Sequence, residues 1–72
     1  MRNPDWRAGI TSVIDQYLQS KLYKSRIKLL GKTRAVQETM AHYQAKKSSV
    51  DFPERVDFAL ELLSKRTGVK LV

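Results

Sequence analysis

Apolar residues open the chain at helical spacing: Trp6, Ile10, Val13, Ile14, Tyr17 and Leu18 fall at i, i+4, i+7, i+8, i+11 and i+12. This stripe predicts a helix over about 4–20. Asn3 and Pro4 read as its start, because an asparagine side chain can accept from the free N–H groups and a proline at the first position lacks only an unused donor. Asp5 then suits the positive end of the helix dipole. Gly9 inside the stripe costs about 1 kcal/mol relative to alanine, which the apolar face has to outweigh. The stripe cannot simply continue, because steps of 100° would bring Lys21, Lys24 and Lys28 onto the face of Trp6, Ile10, Val13 and Tyr17, and buried ammonium groups are costly. Either the helix breaks near Gln19-Ser20 or it leaves the core there as a basic extension.

The next stretch carries two patterns. At period two, Tyr23, Ser25, Ile27 and Leu29 alternate with Lys24, Arg26 and Lys28, which describes one short basic strand at about 22–29. At helical period, Leu22, Tyr23, Ile27, Leu29 and Leu30 form a broad apolar arc opposite Lys21, Lys24 and Lys28. The lysines point outward in both. Helix is preferred, because a lone strand needs a partner and only Val69-Lys70-Leu71-Val72 or a second subunit could supply one. Gly31 ends the element. Thr33 then caps a helix over about 34–46, whose apolar face is thin (Val36, Met40, Tyr43 and flanking alanines) and which needs packing on its neighbours.

Lys46-Lys47-Ser48-Ser49 is a short connection. Asp51, with Glu54 three residues on, reads as a capping-box variant that starts a helix over about 52–66. Gly68 closes that helix in the left-handed conformation, with Lys65 and Arg66 in its last turn and Val69 placed to touch Leu63. Phe52, Val56, Ala59, Leu60 and Leu63 make one face, and Phe58 and Leu62 make a second ridge beside it. A helix this apolar is either central or shared, so Phe58 and Leu62 are candidate partner or dimer contacts. The fold class expected is mainly α: a single basic domain over 1–72 with three or four helices.

Size adds one constraint. A chain of 72 residues buries only about 60% of the surface it exposes when unfolded. With no cysteine and a single histidine, His42, neither disulfides nor a metal can reinforce it, and a homodimer is expected. Zero cysteines fit a reducing compartment, so the cytoplasm is the expected location. The longest apolar run, Phe58-Ala59-Leu60, is far short of the roughly 20 residues of a membrane span, and no apolar stretch follows Met1-Arg2 as in an export signal.

Charge changes the picture most. Fourteen Lys and Arg stand against seven Asp and Glu, a net charge of +7, and no acid occurs between Asp15 and Glu38. That stretch holds Lys21, Lys24, Arg26, Lys28, Lys32 and Arg34, while Asp51, Glu54, Asp57 and Glu61 gather near the end. Cations at this density suit a phosphate backbone, where they gain affinity by releasing counterions. Unless the acids of the last helix neutralise them, they suit nucleic acid or an acidic protein surface.

Catalytic chemistry lacks parts. His42 has only Glu38, four residues earlier, within helical reach, which suits a surface contact better than an acid–base pair. No cysteine, second histidine or loop of carboxylates offers a metal site, and no cofactor is expected. Gly31-Lys32-Thr33 matches the end of a phosphate-binding loop, but Arg26 stands where its first glycine belongs. Tyr23, Tyr43 and Trp6 sit at core spacing rather than as base-stacking residues.

Under the strand pattern, the order strand, helix, helix from Leu22 to Lys65 loosely resembles ribbon–helix–helix repressors, with Lys24, Arg26 and Lys28 facing the major groove. A long helix comes first, however, and no diagnostic motif accompanies it. Under the helical pattern, the apolar positions around Gly31 are out of phase with a helix-turn-helix. The function expected is a non-enzymatic, nucleic-acid-binding regulatory protein, DNA-binding by preference, contacting phosphates through residues 21–34. The alternative is a small adaptor or inhibitor that grips a larger protein through Phe58 and Leu62 with a basic flank.

Overall fold

A computed structural model describes residues 5–70. Among them stand four α-helices, α1 (Trp6–Leu18), α2 (Lys21–Leu30), α3 (Lys32–Lys46) and α4 (Pro53–Thr67), with one 3-10 turn, Lys47–Ser49, between the last two. The expected mainly α fold of three or four helices is met with four. The helices pack in a ring, α2 on α3, α3 on α4, α4 on α1 and, more lightly, α1 on α2, while the diagonal pairs α1–α3 and α2–α4 do not pack backbone to backbone.

Asp5 does more at the first helix than favour the dipole. It is the N-cap, its Oδ1 accepting from the Arg7 N–H at 3.0 Å, so α1 begins two residues later than the pattern predicts; Asn3 and Pro4 lie outside the described residues. The helix ends as required to keep lysines out of the core. The Ser20 hydroxyl donates to the Tyr17 carbonyl at 2.6 Å and accepts from the Tyr23 N–H at 3.2 Å. One serine thus closes α1 and caps α2.

Residues 21–30 are helical, which overturns the strand at 22–29 and with it the resemblance to ribbon–helix–helix repressors. The physical reasons are the Ser20 cap and the lack of a pairing edge: Val69 is buried in the core, and no strand exists among the described residues. The apolar arc predicted for α2 is narrower than expected. Tyr23 is buried and Ile27 packs against the core, but Leu22 is 63% exposed and Leu29 82%. α2 packs closely on α3 alone and only lightly on α1, which leaves part of the arc without cover.

Two predicted caps are also corrected. Thr33 does not cap α3; Gly31 occupies the N-cap position with φ +85°, donating to the Ile27 carbonyl at 2.8 Å and accepting from the Ala35 N–H at 3.0 Å. A single residue joins two helices there, in a conformation that side chains disfavour. Asp51 does not cap α4 either. Phe52 is the N-cap residue, without a side-chain hydrogen bond, and Pro53 fills the first turn. The C-terminus of α4 follows the sequence pattern: Gly68 is left-handed at φ +74°, its N–H donates to the Ser64 carbonyl at 2.8 Å, and Val69 joins Leu63 in the core.

The core comprises Ile14, Tyr23, Val36, Met40, Ala59, Leu63 and Val69. α3, whose apolar face looked thin, supplies its most buried residues, because it is covered by α2 and α4 and needs only Ala35, Val36 and Met40 to fill the space. Across the top of that core the Thr39 hydroxyl donates to the Ala35 carbonyl and receives the Tyr17 phenol at 3.1 Å, tying α1 to α3.

Burial, and secondarily the neighbouring Tyr17 phenol, raises the Tyr23 pKa above its ordinary value. The folded state therefore holds the Tyr23 proton to higher pH than the unfolded chain. The resulting stability is fully present below about pH 10, the ordinary tyrosine pKa, and is lost as pH rises through the folded value. Tyr23→Phe is expected to unfold at the same urea concentration as the parent at pH 7 and to lose less stability between pH 9 and 11. A parallel loss in both proteins would show that Tyr23 does not carry it.

Candidate nucleic-acid interface

The six sequence-predicted cations separate into two groups. Lys21, Lys24 and Lys28 are exposed and share an arc of about 60° on α2, since helical steps of 100° place them at neighbouring angles. The centre of their arc lies about 110° around the helix from that of Tyr23 and Ile27, with Lys24 the nearest to the core side. Lys32 is exposed at the start of α3, just past the Gly31 joint. None of these lysines forms an ion pair among the described residues. Lys28 also stands in the last turn of α2, where a cation favours the helix dipole.

Arg26 and Arg34 are drawn elsewhere. Arg26 Nη2 donates to Glu38 Oε1 at 2.9 Å, and Arg34 Nε donates to Glu38 Oε2 at 3.3 Å, so one carboxylate holds both guanidinium groups against α3. Arg26 Nε is buried without a hydrogen-bond partner. Glu38 therefore faces two arginines rather than pairing with His42, which is exposed with its ring 6.2 Å from that of Tyr43. These pairs are exposed enough that each contributes no more than about 1 kcal/mol.

The acids of α4 do not neutralise the lysines of α2. Asp57 takes Lys47 at 2.7 Å and Glu61 takes Lys65 at 3.6 Å, while Asp15 of α1 takes Arg66 at 3.5 Å. None of these pairs involves a residue of α2. No group of three or more His, Cys, Asp and Glu gathers among the described residues, and no described helix is long and apolar enough to cross a membrane.

The second predicted site is partly occupied by the chain itself. Phe58 is half-buried, its ring edge-on to Trp6 with centroids 5.5 Å apart, and Leu62 is half-buried against the core. Trp6 thus anchors α1 on α4. No family model, curated protein or solved structure matches this chain. What the surfaces can do has to be read from their geometry alone.

Two features escaped the sequence pattern. One is the exposure of Leu22 and Leu29 beside the lysines. The other is an open apolar groove of about 460 Å³ between α1 and α4, lined by Trp6, Gly9, Ile10, Val13, Tyr43 and Val56 among others, with Arg55 as its charged residue. Gly9 was the available signal, a helix-weakening residue inside an apolar stripe.

Proposed function

We propose that this protein binds nucleic acid, DNA in the first place, by phosphate contacts from α2. The observation that carries this is the row Lys21, Lys24 and Lys28 on one exposed helix face, none of them paired with a carboxylate among the described residues. The row spans about 10 Å of helix. Over that length duplex DNA presents roughly six phosphates, so three ammonium groups can each find a separate one. Lys32 extends the cationic surface onto α3, and the net charge of +7 draws the chain to any polyanion.

Phosphate contact positions a protein without reading sequence, so binding is expected to be largely indifferent to base sequence. Regulation would follow from occupancy of the duplex. No step here needs a catalytic group, a metal or a cofactor. The absence of cysteine and of a membrane-spanning helix among the described residues is compatible with a cytoplasmic setting. The adaptor alternative built on Phe58 and Leu62 has less surface to use, because Trp6 and the core already cover part of both.

The test is fluorescence anisotropy of a labelled 20-base-pair duplex titrated with the chain from low to high salt. Binding at low salt that weakens steadily as salt rises is expected; no binding at the lowest salt would remove the proposal. Glu38→Gln supplies a second check. It releases Arg26 and Arg34 from their shared carboxylate, so affinity is expected to rise several-fold while stability falls by no more than about 1 kcal/mol. An unchanged or weaker affinity would place both arginines outside the interface.

A further inference from the structure

The groove between α1 and α4 is a second surface with its own chemistry. Its wall on α1 runs from Trp6 through Gly9 and Ile10 to Val13, two helical turns, and its other wall is Val56 and Ala59 of α4, with Tyr43 of α3 contributing. Val13 is 59% exposed, and Phe52, which stands next to the groove beyond Arg55, is 50% exposed. No described residue covers this apolar surface.

Two residues say what kind of occupant would fit. Gly9 weakens α1 relative to alanine, yet a Cβ built there would meet nothing within 4 Å. Its backbone is helical, and nothing within the chain requires a glycine. A missing side chain at the wall of an open groove permits close approach by something outside the chain. Arg55 is the charged residue of the groove. Its guanidinium lies 4.2 Å from the Phe52 ring centroid and 5.2 Å from that of Trp6, it forms no ion pair among the described residues, and its buried Nε has no hydrogen-bond partner. A half-buried guanidinium held by two aromatic rings is prepared for a carboxylate.

We infer that this groove docks an acidic amphipathic helix of a partner protein. The two turns of α1 between Trp6 and Val13 match the i, i+3 or i+4, i+7 spacing of apolar anchors on a helix laid in a groove. Gly9 lets the two helices close to the short end of the usual 8–10 Å separation. Charge selects the partner: no acid lines the groove between α1 and α4, Asp51 beside Phe52 makes no ion pair with Arg55 among the described residues, and the net charge of +7 repels a basic helix. No residue of α2 lines the groove, so the lysine row is not part of this site. Both can be occupied together, and the chain would then hold an acidic protein on a polyanion.

Trp6 is the only tryptophan and lines the groove, so its emission reports occupancy directly. The experiment titrates the 72-residue chain with two designed helical peptides. Both carry leucine at i, i+3, i+4 and i+7; the remaining positions are glutamate-rich in one and lysine-rich in the other. The glutamate peptide is expected to shift Trp6 emission to the blue and saturate, and the lysine peptide to leave it unchanged. Gly9→Leu, which fills open space and favours the helix, is expected to keep or raise the melting temperature and to weaken peptide binding by at least about tenfold, as is Arg55→Gln. The triple variant Lys21→Gln, Lys24→Gln, Lys28→Gln is expected to bind the peptide within about threefold of the parent. An equal response to both peptides, no response to either, or undiminished binding by folded Gly9→Leu would overturn the inference. So would a dimer of the parent, seen by sedimentation, that Gly9→Leu splits, since the occupant would then be a second copy.

Discussion

Reversing the lysine row by Lys21→Glu, Lys24→Glu and Lys28→Glu is expected to abolish DNA binding. The three substitutions change the charge by two each, taking the net charge of the chain from +7 to +1, and put carboxylates where phosphates would lie. The loss should exceed about a hundredfold at low salt, and the neutral glutamine triple should lower the salt slope by roughly three, about one for each lost contact. The fold should survive. All three side chains are exposed and form no ion pair among the described residues, and only Lys28→Glu opposes the dipole, at a cost of about 0.3–1 kcal/mol. Circular dichroism of the variant checks this. If the folded reversal variant still binds DNA, α2 is not the contact surface.

Leu63→Ala is expected to have the largest effect on stability. Leu63 is 1% exposed and lies where α4 meets α3, so truncation leaves a cavity in the one core the domain has. Such a change costs about 2–5 kcal/mol, against a total of roughly 4–11 kcal/mol for a domain of this length. The variant should therefore be largely unfolded at 37 °C or show a strongly lowered urea midpoint. Leu29→Ala, at the most exposed large apolar residue, should change the stability by less than about 0.5 kcal/mol. Equal midpoints for the two variants would mean that the core is not where Leu63 sits.

Much of the architecture is legible in the order of residues. The stripe from Trp6 to Leu18 gives α1, the conflict between that stripe and Lys21 locates the break, and Gly31 and Gly68 mark the two positive-φ junctions. Caps are harder to read. Ser20 falls at the break expected near Gln19-Ser20, but Asp5 and Gly31 do the work assigned to Asn3 and Thr33, because several cap-competent residues stand close together and only the packing of the helices selects among them.

The ambiguity at 22–29 has a different origin. A stretch with apolar residues at 22, 23, 27, 29 and 30 satisfies both periods, and what decides is tertiary: Tyr23 and Ile27 pack into the core, whereas Leu22 and Leu29 stay largely in solvent.

At the candidate site, the exposure of the lysines follows from charge alone. The withdrawal of Arg26 and Arg34 does not, because Arg26 and Glu38 are twelve residues apart and come together only when α2 folds back onto α3. The groove is hidden from the pattern for a similar reason: Val13 and Val56 belong to apolar faces that periodicity assigns to the interior, and only the crossing of α1 and α4 leaves them open.

The lysine face of α2 is proposed to meet the phosphates of DNA. Amide chemical-shift mapping of the 15N-labelled chain during titration with a short duplex tests it residue by residue. Shifts concentrated at residues 21–28 and at Lys32, with α1 and α4 unmoved and the whole pattern reversed by salt, are the result predicted. Shifts centred on the α1–α4 groove, or none at a salt concentration where the lysines are unscreened, would contradict it.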